Sequence, residues 1–398
     1  MGHIWLIIAL LIVYILFGDA RAHEDIYISP ETAAALSYTK WPRWTDIEPA
    51  DTRIRILWID QKYVPFVNAG SEVCSHQINT FLMKKPYKYD VWVGVPGYPQ
   101  VTYENVRCFN LYDDAKLYGV LQSSHVIMSH GVAMRNNAMY LARISGLPFV
   151  GWAHTNTYVR AAKKPWNDPR LQGRQFTVFN SESLLSTADV PSETSTIVKP
   201  PVDFRNYAVE PEKHQRKYVT LSNVNGNKGG HLLIQLAKSL PDIQFLGVIG
   251  GYKKQITQTG LPNLTYLPNT KDIKSVYAQT WVQIMPSAEE TWGRTAVEAM
   301  SSGIPVVVSP TPGLKECCDT AAIYCDRSDL ESWVTTIRKL KDDTEFYNRR
   351  STAALERARA LDPHPDLDQF ERWLDEKVIP TKVAGRMPTW LEKNMVFR

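Results

Sequence analysis

The sequence predicts an α/β chain with two doubly wound domains, each of about 150 residues. Short apolar runs alternate with stretches of helical period, which is typical of parallel strands joined by crossover helices. A charged, proline-bearing stretch without hydrophobic period divides this pattern into two series. The 398 residues, 44% of them hydrophobic, are enough to build two packed cores.

A short hydrophobic segment precedes the first domain. Every side chain from Ile4 to Phe17 is apolar, but this run is shorter than the ~20 residues that span a bilayer. Ala20-Arg21-Ala22 suits a signal cleavage site, whereas Trp5 and Tyr14 suit an interfacial anchor. Residues 1–22 are therefore predicted to be an uncleaved anchor or a cleaved signal, with a buried helix as a third alternative. We expect a membrane-associated protein and leave open on which side its domains lie.

The first series of elements, residues 50–200, predicts a Rossmann-like domain. Its helical patterns are Glu72–Leu82 and Met134–Ser145. The predicted strands are Ile54–Ile59, Tyr89–Val95, Val106–Phe109, Val126–Ser129, Pro148–Gly151 and Thr177–Phe179. A linker follows from Lys199 to Lys217, because this stretch has neither a strand period nor a helix period.

The second series, residues 213–360, predicts another Rossmann-like domain. Its helical patterns are His231–Leu240 and Thr295–Ser302, the first with a leucine stripe. The predicted strands are Tyr218–Leu221, Phe245–Ile249, Trp281–Met285 and Pro305–Ser309. Residues 361–398 are predicted to hold a helix, Leu367–Lys377, and a tail. Ligands of such sheets bind at the carboxyl ends of the strands, so two facing domains define a cleft.

Charge and cysteine content exclude several classes of protein. The 45 basic and 41 acidic residues leave a net charge of +4, which does not indicate a nucleic-acid binder. The five cysteines form no Cys-x-x-Cys pair, and no histidine stands beside them at metal-ligand spacing. We therefore expect neither a disulfide scaffold nor a structural zinc site.

The segment from Met285 to Met300 carries the most chemical information. A strand ends there, Gly293 permits a tight turn, and a helix begins near Arg294, so its free N–H groups suit a phosphate. Glu290 precedes this helix and Glu298 lies about one turn inside it. Carboxylates accept hydrogen bonds from sugar hydroxyls, so this pair suits a nucleotide-sugar. Alternatively, Glu290 is a helix cap and Glu298 a solvated helix residue.

The span from Glu290 to Pro305 resembles the Glu-x7-Glu signature of retaining GT-B glycosyltransferases, in the family 4 group known as glycosyl transferases group 1. The similarity runs from about Arg53 to about Asp329. Further matching motifs are Pro286-Ser287, Gly303-x-Pro305, Pro312-Gly313-Leu314-x-Glu316, Lys199-Pro200-Pro201-Val202-Asp203 and Lys228-Gly229-Gly230. The resemblance implies that the first domain binds the acceptor and that the second binds the nucleotide-sugar donor.

The resemblance also implies roles for individual residues. Glu290 is in the position that hydrogen-bonds the transferred sugar, and Glu298 is in the position that binds the nucleotide ribose. Lys228 falls where the family's lysine neutralises the donor diphosphate, a point-charge role that suits an ammonium group. His154 resembles the histidine that reaches the transferred sugar. The catalytic residues implied in this way are Glu290, His154 and Lys228.

The remaining implied contacts are to the donor. They are Glu298, Asn223, Gly70, Gly293, Arg294 and Thr295. The family commonly has an arginine five or six residues before its lysine, whereas this chain has Ser222 and Asn223 there. Either Arg294 or another basic group then compensates, or the donor binds more weakly. Read without the resemblance, Lys228 is a solvated residue at a helix start and Gly70 part of an ordinary turn.

The resemblance implies a retaining hexosyltransferase with a nucleoside-diphosphate sugar as co-substrate. It is expected to need neither a metal nor another cofactor, and its acceptor is an unidentified glycan, lipid or protein. The resemblance implies a front-side displacement in which the departing phosphate oxygen accepts the proton of the incoming hydroxyl. One alternative is a catalytically impaired protein that binds nucleotide-sugars or glycans. An NAD-dependent enzyme is disfavoured, because no Gly-x-Gly-x-x-Gly follows the first strand of either domain.

Overall fold

The computed structural model describes residues 52–161, 168–171, 173–209, 216–251 and 253–383. Two twisted sheets organise this part of the chain, one of eight strands and one of six. The predicted apolar segment Ile4–Phe17 lies outside the described residues. Across the described ranges, no helix combines the length and hydrophobicity that crossing a membrane requires.

The first sheet is built from the predicted strands and two short additions. Its strands are β1 (Ile54–Ile59), β2 (Tyr89–Val95), β3 (Val101–Tyr103), β4 (Val106–Asn110), β5 (Val126–His130), β6 (Phe149–Ala153), β7 (Gln175–Phe179) and β8 (Ser195–Ile197). Their order is β3-β4-β2-β1-β5-β6-β7-β8, and every pair is parallel except β3 with β4. Ile56 of the central β1 pairs with Val91 and Val126, and all three side chains are fully buried. β1 and β2 are otherwise apolar, and the one charged residue of each, Arg55 and Asp90, form a buried 2.8 Å ion pair.

Five helices accompany the first sheet. They are α1 (Gly70–Met83), α2 (Asp114–Ser123), α3 (Val132–Ser145), α4 (Asn156–Ala161) and α5 (Glu182–Leu185). The junction between the domains contains one further turn, α6 (Phe204–Tyr207), for which Asp203 is the N-cap. This turn lies within the linker that the sequence predicted from Lys199 to Lys217. A single turn carries too few side chains to show a period, and its signal is the cap alone.

The second sheet has the strand order β11-β10-β9-β12-β13-β14, and all its pairs are parallel. Its strands are β9 (Tyr218–Ser222), β10 (Gln244–Val248), β11 (Leu264–Leu267), β12 (Thr280–Met285), β13 (Val306–Val308) and β14 (Ile323–Tyr324). Its helices are α7 (Gly230–Ser239), α8 (Ile273–Gln279), α9 (Arg294–Met300), α10 (Pro312–Cys318), α11 (Leu330–Asp342) and α12 (Thr344–Ala360). Leu232, Leu233 and Leu236 form the buried stripe of α7, as their spacing predicts. The predicted α/β class with two doubly wound sheets is confirmed.

The chain then returns from the second domain to the first. Helix α13 (His364–Trp373) continues into a π-helical turn at Leu374–Val378. Phe370 of α13 packs edge-on against Trp152 of β6, with ring centroids 5.2 Å apart. The Glu371 carboxylate of the same helix accepts a 2.7 Å hydrogen bond from Lys88 Nζ, which precedes β2. The carboxyl-terminal helix is therefore part of the first domain's packing.

Candidate active site

Each sheet has a switch point, where neighbouring strands lead to helices on opposite faces. This point lies between β1 and β5 in the first sheet and between β9 and β12 in the second. Ligands of doubly wound sheets bind beyond the carboxyl ends of the strands at such points. The residues that follow these four strands therefore form the candidate site.

Glu290 lies in the loop between β12 and α9, and its carboxylate is held from two sides. Ser287 Oγ donates a 2.8 Å hydrogen bond to Oε1 of Glu290. The Nζ of Lys228, from the loop after β9, contacts the same oxygen. The Glu290 side chain is 12% exposed and that of Lys228 32%. The structure thus brings together the two residues that the sequence predicted to act on the transferred sugar and on the diphosphate.

The backbone around Gly293 fixes the loop that carries Glu290. Gly293 precedes α9 with φ 138°, a conformation that favours glycine. A Cβ at this position would lie 2.7 Å from Cδ2 of Leu314 and 2.9 Å from Sγ of Cys317. The absence of a side chain therefore lets the loop pack directly on α10. Thr295 is half-buried in the first turn of α9.

Glu298 lies one turn inside α9, where a buried network engages both of its carboxylate oxygens. Arg294 Nε lies 2.7 Å from Oε1, and the Tyr277 hydroxyl donates a 2.8 Å hydrogen bond to Oε2. Burial raises the pKa of Tyr277, and the nearby Glu298 charge raises it further, so this hydroxyl stays protonated. Each carboxylate oxygen has a second lone pair, so Glu298 can still accept a hydrogen bond from a ribose hydroxyl.

Arg294 joins the two domains through the rest of its guanidinium. Its Nη1 donates to Gln77 Oε1 of α1 at 2.7 Å and to the carbonyl oxygen of Pro201 at 2.8 Å. Its Nη2 donates to the hydroxyl of Tyr207 in the junction helix. Together with Glu298, these contacts engage at least four of the five N–H groups of the guanidinium. The sequence predicted Arg294 as a diphosphate contact, and a diphosphate would have to displace protein partners to reach it.

The predicted donor residues Asn223 and Gly70 lie on either side of Gly250 and Gly251, which follow β10. Asn223 follows β9 with φ 68°, and a Cβ on Gly250 would lie 2.3 Å from its Oδ1. A Cβ on Gly251 would lie 2.9 Å from the carbonyl oxygen of Asn68, two residues before Gly70. These loops of the two domains are therefore in direct contact beyond β9 and β1.

His154 follows β6 and contacts the Glu290 loop through its backbone. Thr291 Oγ1 donates a 2.7 Å hydrogen bond to the carbonyl oxygen of His154. The same hydroxyl accepts a 2.9 Å hydrogen bond from Nδ2 of Asn180. The imidazole Nε2 of His154 is buried and has no hydrogen-bond partner in the described part of the chain. The structure thus brings His154 to the loop of Glu290 and leaves a ring nitrogen available.

His130 and Asp60 form a second layer behind His154. Asp60 follows β1, His130 ends β5, and their side chains approach to 3.3 Å between Oδ2 and Nδ1. The His130 ring lies edge-on to that of His154, with centroids 4.5 Å apart. Burial opposes a charge on His130, but Asp60 outweighs it, with a smaller effect from Glu72, so its pKa is raised. Burial, and then the His130 charge, hold the pKa of His154 well below its usual value.

Asp60→Asn is expected to raise the pKa of His154 towards its usual value. The substitution removes the carboxylate that favours a charged His130, so the repulsion on a protonated His154 decreases. Titration of the imidazole Cε1–H resonances of the full chain by NMR measures both histidines, with exposed His231 as the internal reference. An unchanged His154 titration, in a variant whose His130 pKa has fallen, would contradict this electrostatic coupling.

Sequence reasoning missed Asp60, His130, Ser287 and Thr291 as members of the site. All four are polar residues at or just after the end of a buried strand, or in the loop that follows it. That position was the available signal, because strand ends at a switch point face the ligand. Among the described residues, no group of three or more His, Cys, Asp or Glu side chains has a geometry that suits a metal ion.

Comparison with known proteins finds similarity to one family in the second domain. Residues 205–357 match the family described as Glycosyl transferases group 1. The chain is 24% identical over 178 residues to the O-antigen chain mannosyltransferase RfbU of Salmonella typhimurium, which covers 42% of this chain and 50% of that protein. It is 31% identical over 163 residues to the sulfoquinovosyl transferase SQD2 of Arabidopsis thaliana. This alignment covers 38% of this chain and 31% of SQD2. The chain thus spans half or less of the length of these two relatives.

Solved structures share the fold over most of the chain. The crystal structure of Anabaena HepE in complex with UDP and glucose superposes with a TM-score of 0.65 and 19% sequence identity. The superposition covers 81% of this chain and 100% of HepE. Both doubly wound domains therefore have counterparts in one solved protein.

Proposed function

Because residues 205–357 match the glycosyl transferases group 1 family, we propose that the protein is a glycosyltransferase that uses a nucleoside-diphosphate sugar. The observation that carries the proposal is the Glu290 carboxylate, held by Lys228 and Ser287 at the switch point of the second sheet. It lies on a loop that is hydrogen-bonded to His154 of the facing domain. Residues from both domains therefore converge where a sugar would be transferred.

The proposed donor is a uridine-diphosphate hexose, with its sugar at Glu290. A carboxylate accepts hydrogen bonds from sugar hydroxyls, and Lys228 provides a positive charge for the diphosphate beside it. The structural neighbour HepE, solved with UDP and glucose, supports a uridine nucleotide over a guanosine one. Lys228 forms an ion pair with Glu290, so the diphosphate would compete for the ammonium as the donor binds.

The proposed reaction retains the anomeric configuration and requires no divalent metal. Lys228 stabilises negative charge on the leaving diphosphate, the role that a metal ion fills in other transferases. His154, with its buried and unpartnered Nε2, is placed to hydrogen-bond the transferred sugar. The assignment of Glu298 to the ribose is retained as part of this proposal.

The test is nucleotide release and binding with the purified full chain. UDP-glucose, UDP-galactose and GDP-mannose are each incubated with and without EDTA, and released UDP or GDP is quantified. Isothermal titration calorimetry measures the affinity for UDP and GDP in parallel. We expect binding of UDP and slow hydrolysis of a UDP-hexose, both unchanged by EDTA. A folded protein that binds neither nucleotide would overturn the proposal, and hydrolysis abolished by EDTA would overturn the metal-independent step.

A further inference from the structure

A cavity of about 560 Å³ opens between the domains on one side of Glu290. Asn156, Ser183 and Thr187 line it from the first domain, and the loops after β12, β13 and β14 line it from the second. This volume is within the range of small-molecule sites. Of the predicted catalytic and donor residues, only Glu290 is part of its wall. The cavity therefore reaches the proposed transfer site at Glu290 and is lined elsewhere by residues that were not predicted to bind the donor.

The wall carries more negative than positive charge. Its carboxylates are Glu289, Glu290 and Asp326, and its guanidinium is that of Arg327. The ion pair with Lys228 offsets the negative charge of Glu290. Arg327 Nη2 donates a hydrogen bond to the carbonyl oxygen of Gly226. Hydrogen bonds from the Ser328 side chain and backbone lower the pKa of Asp326, so this carboxylate stays ionised at neutral pH. A ligand with a phosphate or carboxylate group would meet repulsion here.

The uncharged part of the wall suits a sugar. Hydroxyl groups come from Ser183, Thr187 and Thr311, and the Asn156 side chain adds an amide. Hydroxyl oxygens that already take part in one hydrogen bond can still accept another. Pro310 and Pro312 are exposed and add apolar surface, on which the C–H face of a pyranose ring can pack. Few polar groups among apolar ones is the usual composition of a specific small-molecule site.

We propose that this cavity seats the acceptor, and that the acceptor is a glycan without negative charge at the transfer end. The inference rests on the proposed function, because it takes Glu290 as the point where the donor sugar and the acceptor meet. In the transfer, the acceptor hydroxyl oxygen bonds to the anomeric carbon while the bond from that carbon to the diphosphate oxygen breaks. The hydroxyl proton leaves with the diphosphate, so no other reactant is needed.

Saturation-transfer NMR on the full chain, with UDP present, tests the charge of the ligand. The probes are the methyl glycosides of glucose, galactose and mannose, each compared with its uronic acid and its 6-phosphate. We expect at least one neutral glycoside to bind at least tenfold more tightly than its acidic counterparts. In Asp326→Asn this preference should shrink at least threefold. Equal or tighter binding of the acidic probes, or no binding of any neutral probe, would overturn the proposal.

A cavity-filling variant tests the location. Thr187 is exposed on the wall of the cavity, and Thr187→Trp fills the space without touching Glu290. It should weaken binding of the neutral glycoside at least tenfold, whereas Ser186→Trp, on an exposed neighbour outside the wall, should not. Glycoside binding unchanged in Thr187→Trp would place the acceptor elsewhere. UDP affinity, measured on the same samples, should be equal in the wild type, Thr187→Trp and Ser186→Trp. If the wild type did not bind UDP, that result would count against the proposed function and not against the cavity.

Discussion

Glu290→Gln is expected to lower the turnover of the proposed UDP-sugar donor by about 10²-fold or more, with little effect on folding. The amide keeps the shape of the side chain and its oxygen can still accept from Ser287, but it loses the charge that holds Lys228. Lys228→Met is expected to have an effect of similar size, because it removes the cation closest to the proposed diphosphate site. The measurement is kcat and KM for nucleotide release, and the loss should fall mainly on kcat.

Matched controls separate this result from general damage. Lys238→Met removes a lysine from the exposed last turn of α7, and Glu331→Gln neutralises an exposed glutamate at the start of α11. Both should retain wild-type turnover. The double variant of Glu290 and Lys228 should lose less activity than the product of the two single losses, since the residues contact each other. Wild-type kcat in a folded Glu290→Gln protein would remove this residue from the chemistry.

The long apolar strands were predictable because burial on both faces leaves a distinct signature. β1, β2 and β12 are each buried at five or more positions, as is typical of the inner strands of a parallel sheet. The short strands β3, β8 and β14 contain only three, three and two residues. Runs of that length show no period, and only their pairing partners define them. Edge elements therefore depend on the tertiary structure and escape a local pattern.

The site residues likewise differ in how far the sequence predicts their surroundings. Glu290 and Glu298 belong to one continuous segment, so their relative placement follows from a single loop and helix. The side-chain contacts of Arg294 come instead from Gln77 and Tyr207, which are remote in sequence. No spacing rule predicts such partners, because they meet only after both domains and the junction have folded. The sequence thus identified Arg294 as a cation near the site but could not show that protein groups already occupy its guanidinium.

Substitution of Arg294 tests how much its contacts between the domains stabilise the protein. Arg294→Met is expected to lower the free energy of unfolding by about 3–5 kcal/mol, because it leaves the largely buried Glu298 carboxylate without its cation. It also removes the hydrogen bonds to Gln77 and Pro201, which link α9 to the first domain and the junction. Arg294→Lys should recover only part of the loss, since an ammonium group cannot reproduce a planar fork with several donors.

Urea unfolding, followed by circular dichroism at neutral pH, measures these differences. Arg338→Met is the matched control: Arg338 forms a two-point ion pair with Asp242 on the surface, with the two side chains 37% and 45% exposed. Its loss should destabilise the protein much less than the loss of Arg294, because water screens exposed pairs. Adding Glu298→Gln to Arg294→Met should restore part of the stability, since the second substitution removes the unpaired buried charge. If Arg294→Met destabilised the protein no more than Arg338→Met does, the guanidinium would be free of its protein partners in solution and available to the donor diphosphate after all.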